Sequence, residues 1–166
     1  MKKLCLSLLP LCLSAAMAHA ADTVTMTTSN QIACSGQSTN TISLTAWQWG
    51  TSSTVASNGL GKPSLSSITL SKSFDDCSAP MLNALFAGTR LTSILIEQAK
   101  PSGNTTAPLA EITLTNAYIT SYSVGGSSAS SPTESWALSF DKICVTTYGQ
   151  TATGQSSAGS TVCYGS

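Results

Sequence analysis

Chemistry in this chain would have to come from seven carboxylates, six cysteines and a single histidine. The histidine, His19, falls inside a leader-like N-terminus, so the remainder has none. That removes the usual general base and the Ser–His and Cys–His nucleophile pairs. It also removes the commonest metal ligand. Serines are abundant, yet none lies in G-x-S-x-G, and there is no P-loop or G-x-G-x-x-G. Two carboxylates could still hydrolyse a glycoside. Asp75-Asp76 is the only adjacent pair, and it stands at the start of a predicted helix. Neighbours there do not face one substrate, and the helix dipole favours negative charge. Capping accounts for the pair. Glu97, Glu111, Glu134 and Asp141 are scattered along predicted strands and are expected to face solvent. No catalytic residue, cofactor or metal site is assigned, and the chain is not expected to be an enzyme.

The cysteines carry a different message. Cys5 and Cys12 belong to the leader, which leaves Cys34, Cys77, Cys144 and Cys163. An even set in an exported domain reads as two disulfides, with three possible connectivities. Zinc is the rival, but it prefers close C-x-x-C pairs or histidine partners. No two of these four cysteines are close in sequence.

Export itself is read from residues 1–20. Lys2 and Lys3 make a basic start, Leu4 to Met17 is apolar apart from small residues and Pro10, and Ala18-His19-Ala20 is a small-x-small cleavage site. This is the pattern of a secretory signal peptide. The apolar run falls short of the roughly 20 residues a membrane span needs. Two of the seven basic residues go with the leader, so the remaining 146 residues carry five basic and seven acidic side chains. Their net charge is near −2. That balance offers no patch for nucleic acid and no polybasic run for anionic lipid. The expected location is outside the inner membrane, in the periplasm or beyond the cell.

The elements that must position these residues are mostly strands. Residues 21–40 are polar and irregular, with one β-prone piece at Val24-Thr25-Met26, and are set apart from a domain spanning 41–166. Ile42 to Trp49 alternates with period two and ends at Gly50. Residues 50–63, closing in Gly61-Lys62-Pro63, are a long Ser/Thr/Gly loop of the kind that often forms an interface. Ile68 to Ser71 alternates again. A helix over about 78–87 follows, with Asp75, Asp76 and Ser78 as its cap and Pro80 in its first turn. Met81, Leu82, Leu85 and Phe86 form its apolar face, and Gly88 stops it. Ser93 to Gln98, Leu109 to Tyr122, Ser135 to Thr147 and Thr161 to Tyr164 are further strands. The apolar parity changes between Phe140 and Ile143, which marks a β-bulge near Asp141-Lys142. Six to eight strands and one helix make a mostly β domain that closes into a barrel or stacks as a sandwich.

Trp47 and Trp49 share one face of a strand. Exposed, they could stack on sugars or bases; packed, they would fill the core or a subunit contact, as aromatics usually do.

The order of motifs resembles a known family. It runs Ala46-Trp47-Gln48-Trp49-Gly50, Gly61-Lys62-Pro63, Leu70-Ser71-Lys72-Ser73-Phe74-Asp75, Ser78-Ala79-Pro80-Met81-Leu82, Ala87-Gly88, Ile112 to Ala117, and Glu134 through Leu138, Phe140 and Lys142. Residues 41–148 are thereby similar to the haemolysin-coregulated protein (Hcp) family, the tube subunit of bacterial type VI secretion systems. The resemblance implies a barrel with one helix on its side and no active site. It implies hexameric rings stacked into a tube, with the 50–63 loop projecting toward the next ring. Trp47, Trp49, Gly61, Lys62 and Pro63 are the candidate interface. The leader and the cysteines lie outside the family pattern, so a monomeric binding module reusing the barrel is the other candidate. The expected disulfides are Cys144–Cys163, brought together by a C-terminal hairpin, and Cys34–Cys77, which ties the N-terminal segment to the helix.

Overall fold

A computed structural model describes residues 21–29, 32–35, 40–57, 59–102, 105–151, 155–157 and 159–166. The predicted leader lies outside these residues. In chain order the strands are β1 (Thr23–Thr28), β2 (Thr41–Leu44), β3 (Ala46–Gln48), β4 (Thr51–Ser52), β5 (Val55–Ala56), β6 (Gly59–Leu60), β7 (Ser64–Leu65) and β8 (Ile68–Ser73). Helix α1 (Ser78–Phe86) follows. Then come β9 (Leu91–Ser102), β10 (Thr105–Ser127), β11 (Ser130–Ser139), β12 (Lys142–Thr147) and β13 (Ser160–Gly165). The fold is mostly β with one short helix, as expected. The strand segments outnumber the expected six to eight, in part because the 50–63 region is not an irregular loop. β4 pairs β7 and β5 pairs β6, so the segment is a hairpin arm.

Two sheets share β10. One runs β2-β1-β9-β10-β12-β13, and the other runs β10-β11-β8-β3. The 21–40 segment, expected to stand outside the barrel, supplies β1, which is paired on both edges by β2 and β9. Met26, Ile32 and Cys34 from this segment are buried. The alternation in Val24 to Thr28 is short and polar, so its central position is invisible without the partners that flank it.

β10 changes sheets at a corner. Asn116 takes φ 51, a left-handed conformation that asparagine tolerates better than most residues. Its side-chain amide donates to Asp141 Oδ2 at 3.1 Å. Ile112 and Leu114 face the core before the corner, and Ala117 and Ile119 after it, so the inward parity flips. The β11–β12 path flips in parallel, from Leu138 to Ile143. Tyr118 lies opposite Ser139 and Thr115 opposite Lys142, so both strands pass the corner in step. The phase change near Asp141-Lys142 is therefore a shared bend. It is not the one-strand bulge the sequence suggests.

The helix also differs in detail. Cys77 is the N-cap residue and makes no side-chain capping bond. Asp75 instead accepts from the Cys77 amide at 2.8 Å, forming a turn ahead of the helix. Met81 and Ala84 are buried and Leu82 and Leu85 partly so, but Phe86 is 81% exposed and leaves the apolar face. Gly88, at φ 60, ends the helix, and the Thr89 amide reaches back to Ala84 O at 2.9 Å.

The core contains an ion pair. Lys72 in β8 and Glu134 in β11 are cross-strand partners, and both side chains are fully buried. Lys72 Nζ donates to Glu134 Oε2 at 2.8 Å, Asp75 Oδ1 at 2.7 Å, Ser78 Oγ at 2.9 Å and Ser73 O at 2.8 Å. Glu134 also accepts from Ser78 Oγ at 2.9 Å, the Tyr122 hydroxyl at 3.0 Å and Trp136 Nε1 at 3.3 Å. Glu134, expected to face solvent, is thus the acceptor at the centre of a buried network. Strand parity carried the signal: Lys72 follows Ile68 and Leu70 on the inward phase, and Glu134 precedes Trp136 and Leu138.

Removing one partner strands the other charge. Glu134→Leu should lower the unfolding free energy by about 3–5 kcal/mol. Lys72→Met/Glu134→Leu should recover a large part of that loss, and urea melts of the two variants measure both effects. Burial, then the bond to Glu134 and its charge, raise the Tyr122 pKa above 10.0. The folded state therefore favours the neutral phenol. This contribution is complete below the unfolded value of 10.0 and is lost as pH rises from there through the raised folded value. Tyr122→Phe should flatten the alkaline fall in stability, read from urea midpoints between about pH 8 and pH 11.

Candidate functional site

The arm leaves the barrel after β3 and returns at β8. Gly50 and Ser66 close its base: the Ser66 amide and hydroxyl both reach Gly50 O, at 3.3 and 2.6 Å. Further out, the Gly61 amide donates to Thr54 O at 2.8 Å. A Cβ on Gly61 would crowd Thr54, so this close approach needs glycine. Val55 near the tip is 82% exposed. Lys62 and Pro63 are exposed on the returning side, and Pro63 O accepts from the Tyr164 hydroxyl at 3.1 Å. The arm is thereby fastened to the C-terminal strand β13.

Two concavities flank that attachment. A cleft of about 470 Å³ is lined by Lys62, Leu65, Asp141, Cys163, Tyr164 and Gly165, among others. An apolar hollow of about 210 Å³ is lined by Trp49, Ile143, Val145, Val162, Cys163 and Tyr164. Trp49 is half-buried, and its buried Nε1 has no hydrogen-bond partner among the described residues. Trp47 lies apart, in a groove with Val24, Thr45, Ala46 and Gln98, and donates to Gln98 Oε1 at 3.3 Å. Both indoles pack against the core, so they do not form one exposed stacking platform. Of the five interface candidates, Trp49, Lys62 and Pro63 converge on Tyr164, Gly61 shapes the arm, and Trp47 serves a different groove.

The four cysteines pair as anticipated. Cys34 joins Cys77 with Cα atoms 4.6 Å apart, and Cys144 joins Cys163 at 4.0 Å across the β12–β13 pair. Asp75, Asp76 and Cys77 bring donor atoms within 4.8 Å of one another. However, the Cys77 sulfur is in a disulfide and Asp75 Oδ1 is held by Lys72. Glu97 and Glu111, treated as scattered, sit directly opposite each other on β9 and β10. Tyr148 bonds to Glu111, and this bond, followed by burial and the two carboxylate charges, raises its pKa. Sequence spacing could not reveal this pair, because the β9–β10 register has an irregularity between Pro108 and Ala110.

Two sheets sharing a bent strand, a helix at their side and a fastened arm define a barrel whose prominent features are an arm and strand edges. The chain belongs to the Hcp family of type VI secretion system effectors, whose model matches residues 33–147. Solved structures share the fold. A type VI secretion system protein superposes with a TM-score of 0.76 at 16% identity, covering 87% of this chain and 96% of its own. A type VI secretion system effector from Yersinia pestis gives 0.66 at 18% identity, with 86% and 99% covered. Hcp1 from Salmonella typhimurium gives 0.65 at 16%, with 88% and 95% covered. No curated protein matches the chain in sequence. Among the described residues, no helix is long and apolar enough to cross a membrane.

The Tyr164–Pro63 bond is a side-chain contact that fastens the arm to β13. Tyr164→Ala should therefore raise the rate of proteolytic cutting within 51–65 several-fold and leave the melting of the barrel nearly unchanged. Limited proteolysis with mass mapping, run beside a thermal melt, separates the two effects.

Proposed function

We propose that the protein is an exported, non-catalytic Hcp subunit that associates with copies of itself into a ring, hexameric as the family resemblance implies. The family match over residues 33–147 carries this reading. Near-complete coverage of the structural neighbours supports a whole barrel of this type. Residues 1–20 are read as a cleaved leader and the remainder, β1 included, as the working domain. The leader and the two disulfides favour an oxidising compartment, the periplasm or the exterior. Contact would run through the arm, with Gly61 setting its shape, Lys62 and Pro63 on its flank and Trp49 beneath, while Trp47 would contribute from its separate groove. The weak net charge poses little electrostatic obstacle to self-association.

A monomeric binding module is the second reading. It is favoured by the apolar hollow beside Trp49, whose indole N–H lacks an acceptor among the described residues. Size-exclusion chromatography with light scattering on the oxidised protein lacking residues 1–20 decides between the two. A concentration-dependent ring mass is expected. A strict monomer at high concentration would remove the ring and leave the binding module.

A further inference from the structure

The two disulfides occupy opposite environments. Cys34 and Cys77 are 6% and 1% exposed and belong to the core cluster. Cys163 is exposed, and Cys144 is half-buried beside it. Cys163 borders both the 470 Å³ cleft and the 210 Å³ hollow.

The strand that carries Cys163 depends on this bond. In β13 only Tyr164 is partly buried, and Val162 is 70% exposed. Among the described residues the strand pairs with β12 alone. Beyond that ladder it is held by the Thr146–Thr161 hydroxyl bond at 2.8 Å, the Tyr164–Pro63 bond and the disulfide. A strand on one edge with little apolar area has small intrinsic stability. In the chain-entropy model, closing a loop over a separation of 19 residues favours the folded hairpin by restricting the unfolded chain.

We propose that Cys144–Cys163 is a thiol-exchange site: an external dithiol opens it while Cys34–Cys77 stays closed, and opening frees β13 and its hold on the arm. One thiolate of the reagent attacks the sulfur of Cys163, the more exposed residue of the pair. The Cys144–Cys163 bond breaks, and its electron pair leaves on the Cys144 sulfur, which takes a proton from water. The second thiol of the reagent then attacks the mixed disulfide. Cys163 departs as a thiolate and is protonated, and the reagent closes to its own cyclic disulfide. Two electrons and two protons pass from dithiol to protein. Lys62 and Asp141 line the same cleft, so the local field is mixed and access selects the sulfur. Release of β13 uncovers the pairing edge of β12 and opens the hollow on the β13 side.

Native-state reduction tests this. The oxidised protein is exposed to limiting dithiothreitol at neutral pH without denaturant, trapped with iodoacetamide and mapped by mass spectrometry. Hydrogen exchange is followed in parallel. Cys144 and Cys163 should be alkylated on the order of tenfold or more faster than Cys34 and Cys77. Residues 160–165 should lose exchange protection at the same stage, while β8 and β11 keep theirs. Equal rates for the two pairs, or earlier opening of Cys34–Cys77, would overturn the selectivity. An opened pair with unchanged protection at 160–165 would overturn the release. Cys144→Ser/Cys163→Ser should show the released strand without reductant. Should that variant not fold, the reduction of the native protein decides alone.

Discussion

The Lys72–Glu134 ion pair is the constraint on which the rest of the fold rests. Charges removed from water are costly unless every neighbour is in place. Here the neighbours come from β8, β10, β11 and the start of α1, through Ser78, Asp75, Tyr122 and Trp136. Ser78 Oγ has one proton and two lone pairs. It donates to Glu134 and accepts from Lys72 and the Asp75 amide, so its capacity is fully used. Slipping β8 by one residue against β11 would turn Lys72 outward and leave the carboxylate alone. The network therefore fixes the register of one sheet and the place where the helix begins.

The second organising feature is the shared corner. A strand of 23 residues serves both sheets because Asn116 bends it while β11 and β12 bend beside it. Tyr122 beyond the corner returns to the network and packs against Trp136, with ring centroids 4.3 Å apart. The bend thus couples the two sheets through covalent chain, and the ion pair fastens the far half of that chain.

What could be read in the sequence followed from how local each cause was. Alternation in Ile68–Leu70 and Trp136–Leu138 is local, so those strands were legible. Gly88 stops the helix by its own backbone freedom, and it too was legible. Phe86 carries no local mark of its exposure, because the surface facing it comes from elsewhere in the fold. The arm reads as a loop because its strand segments are two residues long and rich in serine and threonine. Glu134 reads as a surface residue because its charge masks the inward parity it shares with Trp136 and Leu138. In the candidate site, Gly61-Lys62-Pro63 was found from loop composition. Its partner Tyr164 lies 101 residues away, and no pattern announces a contact of that range.

The position of β1 bears on how the chain is assembled in time. Thr23 meets Ala99, 76 residues later. A polypeptide emerging N-terminus first can form the β1–β2 hairpin early, but the other edge of β1 stays bare until β9 arrives. Cys77 emerges before Leu91, the first residue of β9, so a bond from Cys34 to Cys77 can close during that wait. Such an early tether would hold the nascent hairpin beside the helix and shorten the search that long-range β-pairing otherwise imposes.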